Sequence, residues 1–181
     1  MRKILWLILL LAAGCAPWVE VGGLYKSDSQ SYSVQLPQGW MRWNHGEQLL
    51  ITRDGIPLQM IQIIRRNIDV PLTNTKKKIS RKMLPQELSE VVLDDIASNK
   101  DYTDYSLIEN GPLTVGGMAG FKAIYGYKTR DRLKVKTVYC GFIREDWFYA
   151  MIYYAPRRYY FDKDIGAFEE VLQSFKWSGS P

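Results

Sequence analysis

Residues 133–175 read LKVKTVYCGFIREDWFYAMIYYAPRRYYFDKDIGAFEEVLQSF, and two different periods meet inside them. Strand-like runs cover 133–143 and 147–154, split by the acidic pair Glu145-Asp146, which reads as a hairpin tip. From Phe161 the spacing lengthens. Phe161, Ile165, Phe168, Val171, Leu172 and Phe175 share one face of a helix, and Asp162 is placed to cap it. A hairpin running straight into an amphipathic helix predicts a helix packed on an antiparallel sheet.

The rest of the chain extends that pattern. Residues 32–36 alternate, 37–39 turn and 40–43 alternate again; Asn44-His45-Gly46 turns into 47–52, and Arg53-Asp54-Gly55 leads to a strand over 57–66. Residues 67–83 are polar and basic and read as an exposed connection. A helix is expected over 84–98, with Leu88, Val91, Val92 and Ile96 on one face and Pro85 in its first turn. Further strands are predicted at 105–109, 113–115 and 121–128, with Asn110-Gly111-Pro112 as a turn. Short links imply antiparallel neighbours, so the fold class is α+β, an antiparallel β-sheet with packed helices over residues 31–181. With 181 residues, 46% hydrophobic and 24% charged, the composition is that of one packed domain.

The N-terminus has its own logic. Met1-Arg2-Lys3 is basic, 4–11 are apolar, and Ala12-Ala13-Gly14 are small residues placed before Cys15. Residues 1–14 therefore read as a signal peptide, the apolar run falling short of the roughly 20 residues a spanning helix needs. The stretch Leu11-Ala12-Ala13-Gly14-Cys15 resembles the lipobox of bacterial lipoproteins, with Ala12 where leucine is usual. The resemblance implies a diacylglyceryl group on the Cys15 sulfur and membrane anchoring through its acyl chains. Ala16 after the cysteine implies the outer membrane in a Gram-negative host, with the domain facing the periplasm. Residues 16–30 contain Pro17, Gly22-Gly23 and several serines, and 15–30 read as a lipidated cysteine followed by a flexible tether. Cys140, within an apolar run, reads as a buried hydrophobe. With an ordinary secretory signal instead of a lipobox, a Cys15–Cys140 disulfide becomes possible.

Three stretches carry a second resemblance: Ser33-Val34-Gln35-Leu36-Pro37-Gln38-Gly39-Trp40, Gly120-Phe121-Lys122-Ala123, and 149–156 leading through Phe168 to Ser174-Phe175-Lys176. Together they are similar to the PsbP-like fold of photosystem PsbP subunits, Ran-binding Mog proteins and many bacterial lipoproteins. The resemblance spans nearly all of 31–177 and implies an α/β/α sandwich used as a protein-binding or assembly module, commonly without catalysis.

The residues themselves supply little catalytic machinery. His45 is the single histidine and falls in a turn, which leaves no two-histidine metal site. No nucleophile elbow, phosphate-cradling glycine loop or zinc motif is present. No cofactor or metal is called for. The carboxylate pairs Asp94-Asp95, Glu145-Asp146, Asp162/Asp164 and Glu169-Glu170 suit solvated helix faces, a hairpin tip and a helix start. An envelope hydrolase would need two of them to converge.

Charge is more informative. The chain carries +5 overall, yet Arg65, Arg66, Lys76, Lys77, Lys78, Arg81 and Lys82 face only Asp69 between 65 and 82. That excess suits an anionic lipid surface or an acidic partner, and equally a solvated loop. Nucleic acid is not an expected partner for an envelope lipoprotein. Arg157-Arg158-Tyr159-Tyr160, between the last strand and the last helix, is the other candidate contact, set against plain packing. The sequence thus predicts a lipid-anchored, non-catalytic binding or assembly module with an envelope protein as partner. The alternatives are a hydrolase using surface-loop carboxylates and a carrier of an apolar ligand.

Overall fold

The computed structural model describes residues 17–27 and 29–178, so residues 1–14, expected to be a signal peptide, and Cys15 lie outside the described residues. Nine strands and two helices follow one another as β1 (Trp18–Ser27), β2 (Tyr32–Trp43), β3 (Leu49–Thr52), β4 (Met60–Asn67), α1 (Pro85–Ala97), β5 (Thr103–Val115), β6 (Met118–Lys128), β7 (Lys134–Arg144), β8 (Trp147–Pro156), α2 (Tyr160–Gln173) and β9 (Lys176–Trp177). All pair antiparallel in one sheet of order β1-β2-β3-β4-β8-β7-β6-β5, with β9 against the start of β2.

Alternation along β8 sends its side chains into two separate cores. Tyr149, Met151 and Tyr153 pack with Phe161, Phe168 and Val171 of α2, while Phe148 and Ala150 pack with Leu88, Val92 and Leu93 of α1. One helix therefore covers each face, and the consecutive aromatics of β8 are buried on both sides. Burying a side chain such as Phe168 contributes about 1.5–3 kcal/mol. Cys140 is fully buried on the α2 side, where burial pushes its thiol up to about 12. It packs as a hydrophobe.

Several local expectations are corrected. Residues 18–27 are not a tether: they form the edge strand β1, paired with β2 from Trp18↔Trp43 to Ser27↔Tyr32. A register shift between Val21 and Gly23 breaks the alternation that would have revealed the strand. Its partner is continuous too, bending at 37–39, where Gly39 has φ +71°, instead of ending there. Likewise 110–112 is no turn, because β5 runs unbroken through Gly111 and Pro112. Its edge position tolerates a proline that a central strand would reject. At α2 the N-cap is Tyr159, with φ +72°, and Asp162 lies one turn in without capping. The chain must reverse sharply out of β8 there, and the Tyr153 hydroxyl ties the turn down through the carbonyls of Tyr160 and Phe161.

Candidate functional site

The basic segment between β4 and α1 is not a loose loop. Ile68, Leu72 and Ile79 are buried in the α1-side core, and the Leu72 amide donates to the Lys77 carbonyl across a turn that puts Lys76 at φ +60°. Most of its charge is engaged. Arg66 donates to the carbonyls of Val70 and Pro71, Lys76 to that of Thr73, Lys77 pairs with Asp94 at 2.7 Å, and Arg81 pairs with Asp146 in the β7–β8 turn. Lys78 and Lys82 are exposed, with no ion pair among the described residues. The segment runs out along α1 and back, so Lys76 and Lys77 sit near the helix C-terminus while Arg65, Arg66, Arg81 and Lys82 lie toward the β7–β8 turn. A 13-residue helix spans about 20 Å, so the seven cations do not form one patch.

Asp95 pins the outer end of that segment. It is buried, not solvated as expected, and its Oδ1 accepts from the Asn74 amide at 2.8 Å, the Thr75 amide at 2.7 Å and the Thr75 hydroxyl at 3.0 Å. Burial pushes this carboxyl up, but the donors from Thr75 and Asn74 outweigh it and leave it below the ordinary carboxylate range. A depressed carboxyl stabilises the fold above its unfolded value, and that contribution is lost as pH falls through the folded one. Acidification is therefore expected to release 73–78 from α1, seen as lower amide protection factors at Asn74 and Thr75. Asp95→Asn should flatten that pH dependence, and unchanged titration in the variant would refute the assignment.

Arg65 is placed differently from its neighbours. Its guanidinium lies over the Trp147 ring at 4.3 Å and 3.9 Å from Glu47, on the wall of an open recess of about 460 Å³ shared with Trp43, His45 and Gln30. His45 is exposed in the β2–β3 turn, edge-on to Trp43, which itself packs against Trp18 at 5.1 Å. The Pro17 carbonyl accepts the Asn44 amide at 2.9 Å, so the chain enters the domain beside this recess. Sequence reading did not connect Trp18, Trp43 and Trp147, which β-pairing alone brings together.

Arg157, Arg158 and Tyr159 are exposed at the far end of β8, and Tyr160 is half-buried. Arg157 lines a shallow recess with Lys128, Lys134 and Lys136, a basic cluster that sequence separation concealed. Residues 157–160 thus share their end of the sheet with Lys76 and Lys77, while Arg65, Arg81 and Lys82 lie at the other end. The four carboxylate pairs do not converge on one another: Asp94, Asp146 and Asp164 are paired with Lys77, Arg81 and Arg53, and Glu169 and Glu170 face solvent on α2. Among the described residues, no three His, Cys, Asp or Glu side chains gather as a metal site would need.

An antiparallel sheet with one helix on each face and this strand order is a PsbP/Mog1-like α+β fold. Its structural relatives include cyanobacterial PsbP (CyanoP) from Synechocystis, with a TM-score of 0.58 and 14% identity over 92% of this chain and 95% of that one. The Ran-binding protein Mog1p of Saccharomyces cerevisiae superposes with a TM-score of 0.59 at 9% identity, covering 88% and 97%. A Pseudomonas aeruginosa protein of unknown function gives 0.53 at 11% identity, covering 87% and 96%. No protein-family model matches the chain, and no curated protein does.

Proposed function

We propose that this protein is a lipid-anchored component of the bacterial envelope, facing the periplasm from the outer membrane, whose domain is a non-catalytic module that binds another envelope protein. The observation that carries the reading is where the fold begins. Strand β1 starts at Trp18 and Pro17 is bonded to Asn44, so an acylated Cys15 two residues upstream reaches at most about 7 Å from the entry point. The tryptophan-and-arginine recess then lies at the membrane-proximal end of the domain, available to a partner in or on the same membrane. Binding-type relatives on this fold, the Ran-binding Mog1p among them, are consistent with such a role. Of the other basic side chains, Arg81 and Lys82 lie nearer that end and Lys76, Lys77, Arg157 and Arg158 farther from it, and they serve as secondary contacts.

Metabolic labelling with an alkyne fatty acid, combined with in-cell cross-linking, tests both halves. Cys15→Ala is expected to abolish labelling and release the protein from the membrane fraction. Arg65→Glu is expected to leave labelling intact and lose a specific cross-linked envelope protein, whereas Lys78→Glu with Lys82→Glu should reduce it only partly. Absence of label on the native chain would overturn the anchor. Identical cross-links from native and Arg65→Glu protein would overturn the recess as the contact.

A further inference from the structure

Beyond the C-terminal end of α1, the face of β4, β8, β7 and β6 is left open as a cleft of about 560 Å³, within the roughly 300–1,000 Å³ that small-molecule sites occupy. Five tyrosines line it: Tyr125, Tyr127 and Tyr139 are buried in its floor, and Tyr102 and Tyr154 are half-buried at its sides. Tyr102 stacks on Tyr127 with ring centroids 3.8 Å apart, and Tyr125 lies 6.2 Å from Tyr127, so the walls are continuous aromatic surface. We propose that this cleft binds an uncharged saccharide.

Three observations select that chemistry. Asp95 is the one charged side chain on the lining, and its Oδ1 is already taken by Asn74 and Thr75. Burial pushes the phenols of Tyr125, Tyr127, Tyr139 and Tyr154 up, so they stay neutral. An anionic ligand would lose hydration and meet the Asp95 carboxylate, with no cation on the lining to pair with. The second observation is the surplus of neutral hydrogen-bonding groups: the amides of Asn74 and Asn99 and the hydroxyl of Thr129 line the same space as the phenols. Thirdly, Tyr102 and Tyr154 are half-buried at the sides of the cleft, so part of each ring is open to a ligand. A purely apolar ligand would displace water from the rim amides and the Thr129 hydroxyl and leave them without partners. A pyranose suits such a lining, with C–H faces for the aromatic walls and hydroxyls for the amides and hydroxyl of the rim. This site is separate from the Arg65 recess and does not depend on the anchor.

The test is titration of the full-length protein in detergent with cellobiose, maltose and N,N′-diacetylchitobiose, read by saturation-transfer NMR and calorimetry, with glucuronic acid as the charged control. Saturable binding of at least one neutral disaccharide is expected, with glucuronic acid not binding. Tyr102→Ala, which removes one aromatic wall, should weaken binding about tenfold, the worth of one lost stacking contact. Asn99→Ala, at the rim, should weaken binding without unfolding. Failure of all three disaccharides to bind would overturn the proposal, as would binding that both variants leave intact or that the charged sugar matches.

Discussion

Asp164→Ala is expected to lower the unfolding free energy by about 3 kcal/mol, read as a shift in the urea midpoint with unchanged slope. Asp164 sits on α2 with 3% of its surface exposed and accepts from Arg53 at 3.1 Å and from Gln59 Nε2 at 2.9 Å. Gln59 is fully buried, and its amide also binds Asp54, whose other partner is Lys163. These five side chains fasten the β3–β4 turn to α2. Removing the carboxylate leaves one Gln59 N–H unpaired in the interior, which is the dominant cost, because Arg53 is half-exposed and can return to water. Asp164→Asn should cost less, since an amide oxygen still accepts one of the two bonds. Equal loss in both variants would show that the charge, not the hydrogen bonding, matters.

Gly120→Ala should be of similar or greater severity, about 3 kcal/mol or more, and should unravel the pairing of β6 with β7. A Cβ at Gly120 would lie 2.3 Å from the Gly141 carbonyl oxygen and 2.7 Å from Phe142 Cβ, and backbone in a central ladder cannot retreat. Directly beside it, Gly141 faces Phe121, and a Cβ there would meet the phenyl ring at 2.6 Å. A ring can tilt, so Gly141→Ala should be the milder change. Gly111→Ala, on edge strand β5 with nothing within 4 Å, is the control and should leave thermal unfolding nearly unmoved. If all three substitutions proved neutral, the close approach of β6 and β7 would be wrong.

The sequence showed the two helices, the β6–β8 meander and both amphipathic faces because each has an unbroken period. It hid β1 and the bend of β2 because Gly22-Gly23 and the stretch around Gly39 interrupt alternation where the two strands slip register. Gly111-Pro112 mimicked a turn because local chemistry does not reveal which strand will lie at an edge. Asp95 was legible in principle, since it follows Leu88 and Val92 at helical spacing and so belongs to the buried face of α1. Adjacency to Asp94 disguised it as half of a solvated pair. The basic segment was visible as charge, but its pinning by Asp94, Asp95 and Asp146 depends on contacts 17 to 65 residues away. No one-dimensional pattern records those.

The direct entry of the chain into β1 also fixes how the domain bears load. Tension applied through the N-terminus arrives at the Trp18↔Trp43 pair, the last rung of an edge ladder, and is met there one rung at a time. The edge strand would peel like a zip, at low force and in small steps, while the interior strands β4, β8 and β7 remained locked between the two helices. Strand β1 thus acts as a mechanical fuse, yielding length at the N-terminal end before the rest of the fold feels the pull.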